Sequence, residues 1–240
     1  MLGNFFNEIL YRPLFNALVF LYNIIPGHDF GIAIILLTIL IRVILFPLSY
    51  KSIKSRQTMS VLQPEIKKIQ QKYKSKEEQS RELMKLYKEQ KVNPLSGCLP
   101  LLIQFPVLIA LYRVLINVLK PESLSVLYSF IKNPGVIKSS FLGILDLSQK
   151  SPVLAILAGI SQFFYSKITM KYSPQIPQSD PKKAMNFQKT MSQQMLYFMP
   201  ILTVFIAWSF PAGLPLYWVV TTVLGLAQEY YLFKKLHGKN

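Results

Sequence analysis

Phe30-Gly-Ile-Ala-Ile-Ile-Leu-Leu-Thr-Ile-Leu-Ile-Arg42-Val-Ile-Leu-Phe-Pro-Leu-Ser-Tyr50 is an apolar run interrupted by one cation. About 20 such residues in a helix cross the hydrocarbon of a bilayer. A guanidinium at mid-depth costs at least ~2.5–3.5 kcal/mol on insertion scales. Snorkelling is one way out, but the next basic residue, Lys51, is nine positions on, roughly 13 Å at about 1.5 Å per residue. The side chain covers only part of that distance. The alternative is that Arg42 faces a polar cavity, where its five donors hold water, an anion or a peptide.

Working outward, the chain is 51% hydrophobic yet carries a formal charge of +16. A soluble nucleic-acid binder can be this basic, but does not carry several long apolar runs. The pattern predicts an all-α, polytopic membrane protein with basic loops. A single cysteine, Cys98, excludes an intrachain disulfide framework. His28 and His237 form no metal cluster. No glycine-rich phosphate loop or nucleophile elbow occurs, so neither an enzyme nor a cofactor is expected. Nor is a cleavable signal peptide or a lipidation motif apparent.

Residues 1–29 place Phe5, Phe6, Ile9, Leu10, Leu14, Phe15 and Leu18 at helical spacing, which predicts an amphipathic helix in the interface. A further span here would have only the short apolar stretch from Leu14 to Ile25. Span one is 30–50. Residues 51–97 carry twelve Lys/Arg and five Glu. Within them Met59, Leu62, Ile66, Ile69 and Tyr73 step as a coiled-coil seam. Ser75 with Glu78 is a capping-box pattern that opens a second helix, with Leu83, Leu86 and Tyr87 as its matching face. A helical hairpin follows, ended by Asn93-Pro94. Span two is 98–119, with Pro100 and Pro106 inside it. A loop at 120–151 contains the turn signal Asn133-Pro134-Gly135. Span three is 152–170, a polar loop 171–194, span four 195–210, span five 214–233 and a basic tail 234–240.

Five spans put 51–97, 171–194 and the tail on one side, which with Lys167 hold 20 of the 27 Lys/Arg. The positive-inside rule makes that side cytoplasmic and leaves the N-terminus outside. Other polar groups in the spans are Gln104, Arg113, Gln162, Ser166, Thr203 and Glu229. Gln162 and Ser166 share a helix face. Arg113 is expected to snorkel outward, and Glu229 to be an interfacial carboxylate, with internal pairing as the alternative. Trp208, Tyr197 and Tyr217 suit an aromatic belt, whereas Trp218 sits deep enough to line a wall. No carboxylate occupies mid-depth, which disfavours an ion-coupled transporter.

Asn93-Pro-Leu-Ser-Gly-Cys-Leu-Pro-Leu-Leu-Ile-Gln104-Phe-Pro106, continuing to Ala110-Leu-Tyr112, resembles the second span of the YidC/Oxa1/Alb3 membrane protein insertases. Met199-Pro200 and Phe210-Pro-Ala-Gly213-Leu-Pro-Leu-Tyr217-Trp218 resemble their fourth and fifth spans. The lone arginine of span one followed by Phe46-Pro47-Leu48 also matches. The resemblance runs from about residue 5 to 235. It implies five spans around a hydrophilic groove open to the cytoplasm and to lipid. In that groove Arg42 corresponds to the family arginine and Trp218 to a lining tryptophan. Ser166 falls where the family has a glutamine, with Gln162 one turn earlier, and Gln104 shares the hydration.

The implied activity is insertion of nascent membrane proteins into a bacterial inner membrane without nucleotide hydrolysis. The chain looks like a compact form, without a large external domain before span one, a lipobox cysteine or a long ribosome-binding tail. The basic hairpin and loops suit anionic lipids and ribosomal RNA. The ribosome and the Sec translocon are further candidate partners, and DNA is not one. A small-molecule transporter using Arg42 as an anion site, and an assembly scaffold without insertion activity, remain the alternatives.

Overall fold

The computed structural model describes residues 6–73, 75–93, 99–171, 190 and 193–237. Pro94, Cys98 and most of the expected loop 171–194 lie outside the described residues. The chain forms two compact units. The first comprises 1–45, 101–162 and 201–224, the second 46–100, 163–200 and 225–240.

The first unit begins with a wide turn at Asn7–Tyr11 that leads into α1, Arg12–Ile24. Pro13 directly follows that wide turn, a local widening that accommodates a residue without an N–H in a continuing helix. Phe15, Leu18, Val19 and Tyr22 recur along one face and are buried. Of the face expected to lie in the lipid interface, Phe15 and Leu18 belong to the protein core, packed with α2, Phe30–Ile44, whereas Ile9 is exposed. Asp29 caps α2 by accepting from Ile32 N at 2.8 Å.

Helix α2 stops at Leu45, short of the expected end of span one. A new helix, α3 (Phe46–Val61), starts with Pro47 in its second position, within the first turn, where proline is tolerated. The first unit also contains parts of α6 (Leu99–Asn117), α7 (Pro152–Lys171), α8 (Met199–Ser209) and α9 (Gly213–His237). Of the two prolines expected within span two, Pro106 is interior to α6 and Pro100 stands in its first turn.

The expected loop 120–151 is fastened rather than free. It holds a short 3₁₀ turn at Pro121–Val126 and two strands, β1 (Ser140–Phe141) and β2 (Leu145–Asp146), paired antiparallel. Asn16 Nδ2 donates to the Arg12 and Val126 carbonyls at 2.8 and 3.2 Å, and its Oδ1 accepts from Tyr128 N at 2.6 Å. Asn23 Nδ2 donates to Lys132 O at 2.7 Å, and Lys138 N donates to the Tyr22 hydroxyl at 3.0 Å. Leu142 N donates to the second Asp29 oxygen at 2.5 Å. Ala212 N and Gly213 N donate to the Gln149 and Leu147 carbonyls. A Cβ on Gly31 would come within 2.1 Å of the Phe141 ring, so only glycine lets that ring lie on α2.

In the second unit, α3 gives way at Leu62 to α4, Gln63–Lys72, which Pro64 helps to start. Ser75 caps α5, Lys76–Glu89, accepting from Glu77 N. Met59, Leu62 and Ile66 bury against Leu83, Leu86 and Tyr87, with Ile69 at the margin. Helix α5 ends before Asn93-Pro94. Lys91 takes φ +52°, and Val92 N reaches back to Tyr87 O at 2.9 Å. That is the left-handed closure usually given to glycine, and Val92 packs on the same apolar cluster.

Among the described residues, Pro152–Met170 is the one unbroken helix long and apolar enough to cross a membrane. Helices α2 and α3 pass that test only together, as a broken pair, while Leu102–Asn117 and Gln194–Ser209 are shorter apolar helices.

Candidate functional site

The polar residues of the first unit form a connected set. Arg42 is half-buried near the end of α2. Its Nε donates to Thr221 Oγ1 at 3.1 Å, and its Nη2 donates to the Thr221 carbonyl. Four residues earlier on α9, hence on the same face, stands the buried Tyr217. Its hydroxyl accepts from Gln104 Nε2 of α6 and hydrogen-bonds the Thr221 side chain. Gln104, Tyr217, Thr221 and Arg42 therefore form one polar chain across three helices.

Among the described residues these bonds use two of the five guanidinium hydrogens, leaving three for other acceptors. Among the described residues the salt bridges do not include Arg42. Its positive charge is answered by neutral dipoles and is not cancelled, so it retains attraction for a carboxylate or for peptide carbonyls. No group of three or more His, Cys, Asp or Glu that could hold a metal ion occurs among the described residues.

Trp218, the next residue along α9 after Tyr217, is not part of this polar set. It packs with Val204 and Val219 on the small side chains Ala155, Ala158 and Ala207. Gln162 is half-buried on α7. Ser166 is buried and belongs to the second unit. Of the five sequence-selected residues, then, Arg42 and Gln104 are joined through Tyr217 and Thr221, which residue-type reasoning overlooked. By sequence Tyr217 suits an aromatic belt; in the structure it is buried in the core. Its spacing of four from Thr221 was the available signal.

Arg113 lies over the Phe6 ring, 5.5 Å from its centroid. For Glu229 the structure shows internal pairing. It is 4% exposed and ion-paired with Arg56, both within the second unit.

The family model described as 60Kd inner membrane protein matches residues 20–239. The chain belongs to the YidC/Oxa1/Alb3 family. It is 37% identical to the membrane protein insertase YidC of Syntrophus aciditrophicus (strain SB), over 94% of this chain and 36% of that protein. It is 38% identical to YidC of Magnetococcus marinus, over 95% of this chain and 36% of that one. Against YidC of Haemophilus influenzae the identity is 36%, over 95% and 37%. Among solved structures, it is similar to an active YidC insertase crystal structure with its first transmembrane domain resolved. The TM-score is 0.59 at 31% identity, over 92% of this chain and 46% of that one. The chain thus spans less than two-fifths of the length of these curated YidC relatives.

Proposed function

We propose that this chain is a membrane protein insertase of the bacterial inner membrane that works without nucleotide hydrolysis. One observation carries the reading: the Arg42 charge, set in an apolar helix, is held by Thr221 and has no carboxylate beside it among the described residues. A short polar flank of a nascent membrane protein enters a hydrated groove at Arg42. There Arg42, Gln104 and their neighbours replace part of its water shell. Each polar group left unsatisfied in hydrocarbon costs several kcal/mol, and the groove lowers that barrier. The attached apolar segment then moves into lipid, and its burial drives the step.

In this reading five spans enclose the groove, which Gln162 and Ser166 also hydrate, with Trp218 as part of its wall. The hairpin of α4 and α5, the C-terminus and most of the basic residues face the cytoplasm, and the N-terminus lies outside. The exposed basic residues of the hairpin meet anionic headgroups and, during synthesis, the ribosome. The Sec translocon is a further candidate partner.

The test is protease protection of a single-span client with an acidic N-terminal flank, added to liposomes holding the purified chain. Protection should require the protein and fall at least tenfold with Arg42→Ala, about 1.4 kcal/mol of barrier. Protection unchanged by Arg42→Ala would remove the guanidinium from the mechanism. No protection above empty liposomes for several clients would overturn the insertase reading in favour of a scaffold. Uptake of a small anion instead would favour a transporter.

A further inference from the structure

The hairpin between β1 and β2 carries a feature that insertion at Arg42 does not use. Ile144 N donates to Phe141 O at 3.0 Å, closing a turn whose central residues are Leu142 (φ +53°) and Gly143 (φ +69°). Positive φ at both positions marks the mirror-image turn that favours Asn-Gly. A leucine in the first position is strained and has no side-chain oxygen to bond the turn. Yet the Leu142 side chain is 60% exposed, and Ile144 beyond it is 88% exposed. In water this tip would be disfavoured twice, by backbone strain and by apolar exposure.

The turn's place in the fold removes the second penalty. Leu142 N is bound to Asp29, the cap of α2, and the Phe141 ring lies on Gly31. The tip is therefore held level with the start of the apolar run. Further along, α2 exposes Leu36, Ile39 and Leu40. Phe130 and Val136 in the same 120–151 segment are also exposed outside any helix. The segment carries exposed Lys120, Lys132, Lys138 and Lys150 against Glu122 and Asp146. Hydrogen bonds from Ser139 and Ser148 occupy Asp146.

We propose that Leu142 and Ile144 form an interfacial anchor. They insert at the headgroup–acyl boundary of an anionic bilayer, on the side where Asp29 caps α2, while the neighbouring lysines meet lipid phosphates. The anchor sets the depth of the fastened end of the first unit. It goes beyond insertase activity and rests only on α2 being in the membrane.

Site-directed spin labelling of the full chain tests it, in liposomes of phosphatidylcholine and phosphatidylglycerol. Labels are placed at Ile144→Cys, at Leu40→Cys as the lipid reference and at the exposed Glu89→Cys of α5 as the aqueous reference, each with Cys98→Ser. At position 144 the ratio of oxygen to nickel-chelate accessibility should exceed that at 89 several-fold and approach that at 40. Adding Leu142→Asn, which suits the turn better, should lower the ratio at 144 at least twofold. A water-like ratio at 144 beside a lipid-like one at 40 would overturn the anchor and leave the membrane placement of α2 standing. Water-like ratios at both would overturn the anchor together with that placement. A ratio unmoved by Leu142→Asn would show that the strained leucine has no share in anchoring.

Discussion

The segment 120–151 and the helix pair α4–α5 are built in opposite ways. The first has little regular structure, and its backbone is tied to α1, α2 and the start of α9 by Asn16, Tyr22, Asn23, Asp29 and the 212–213 amides. Its shape exists only where those partners stand. The second is regular, and its apolar contacts, from Met59 to Val92, come from its own two helices and the end of α3. A piece that holds itself together can shift as a body, whereas a piece held by its surroundings cannot. In the proposed reading, such a difference suits a fixed end and an arm that meets clients.

The strongest blow to the comparison is aimed at the arm's stem. Glu229→Leu strands the buried Arg56 charge and should cost ~3–5 kcal/mol, whereas Arg56→Met with Glu229→Leu should restore most of that. Thermal unfolding of the purified protein in detergent reads both. A silent single substitution would mean that the pair is solvated. Next comes a matched pair of truncations. Ile66→Ala should cost ~2–5 kcal/mol, with faster hydrogen exchange confined to residues 59–92. Asn16→Ala should cost ~1–3 kcal/mol, with the loss spread over α1 and 120–151. Exchange that spreads into α1 after Ile66→Ala would break the contrast.

The smallest effect concerns acid. The hydroxyls of Ser139 and Ser148, with the Ser148 amide, hold the Asp146 carboxyl below its ordinary value of 3.8. The depressed group favours the folded loop above that value and loses this contribution as the pH falls through the folded value. Protection of the amides at residues 139–148, taken relative to their intrinsic exchange rates, should therefore fall below about pH 4, and Asp146→Asn should abolish that dependence.

How much of this was legible follows from the range of the interactions. The apolar seam of the arm repeats locally, so Ile66 and Leu83 could be read from spacing alone. Arg42 stood out because nothing near it in the chain could neutralise it. Its partners could not be read: Thr221 is an unremarkable residue in an apolar helix until a turn of α9 is set beside α2. The break at Leu45 had a signal in Pro47, but the continuous apolar run concealed it. The β1–β2 hairpin offered two-residue strands and a Leu-Gly turn, too short for alternation to show and without the usual turn residues.

The contact between Gly31 and the Phe141 ring makes two distant positions one heritable character. A side chain gained at 31 is tolerable only if the ring at 141 is lost, and the ring can persist only over a bare backbone. Across the lineage these two sites should therefore change together, or neither should change.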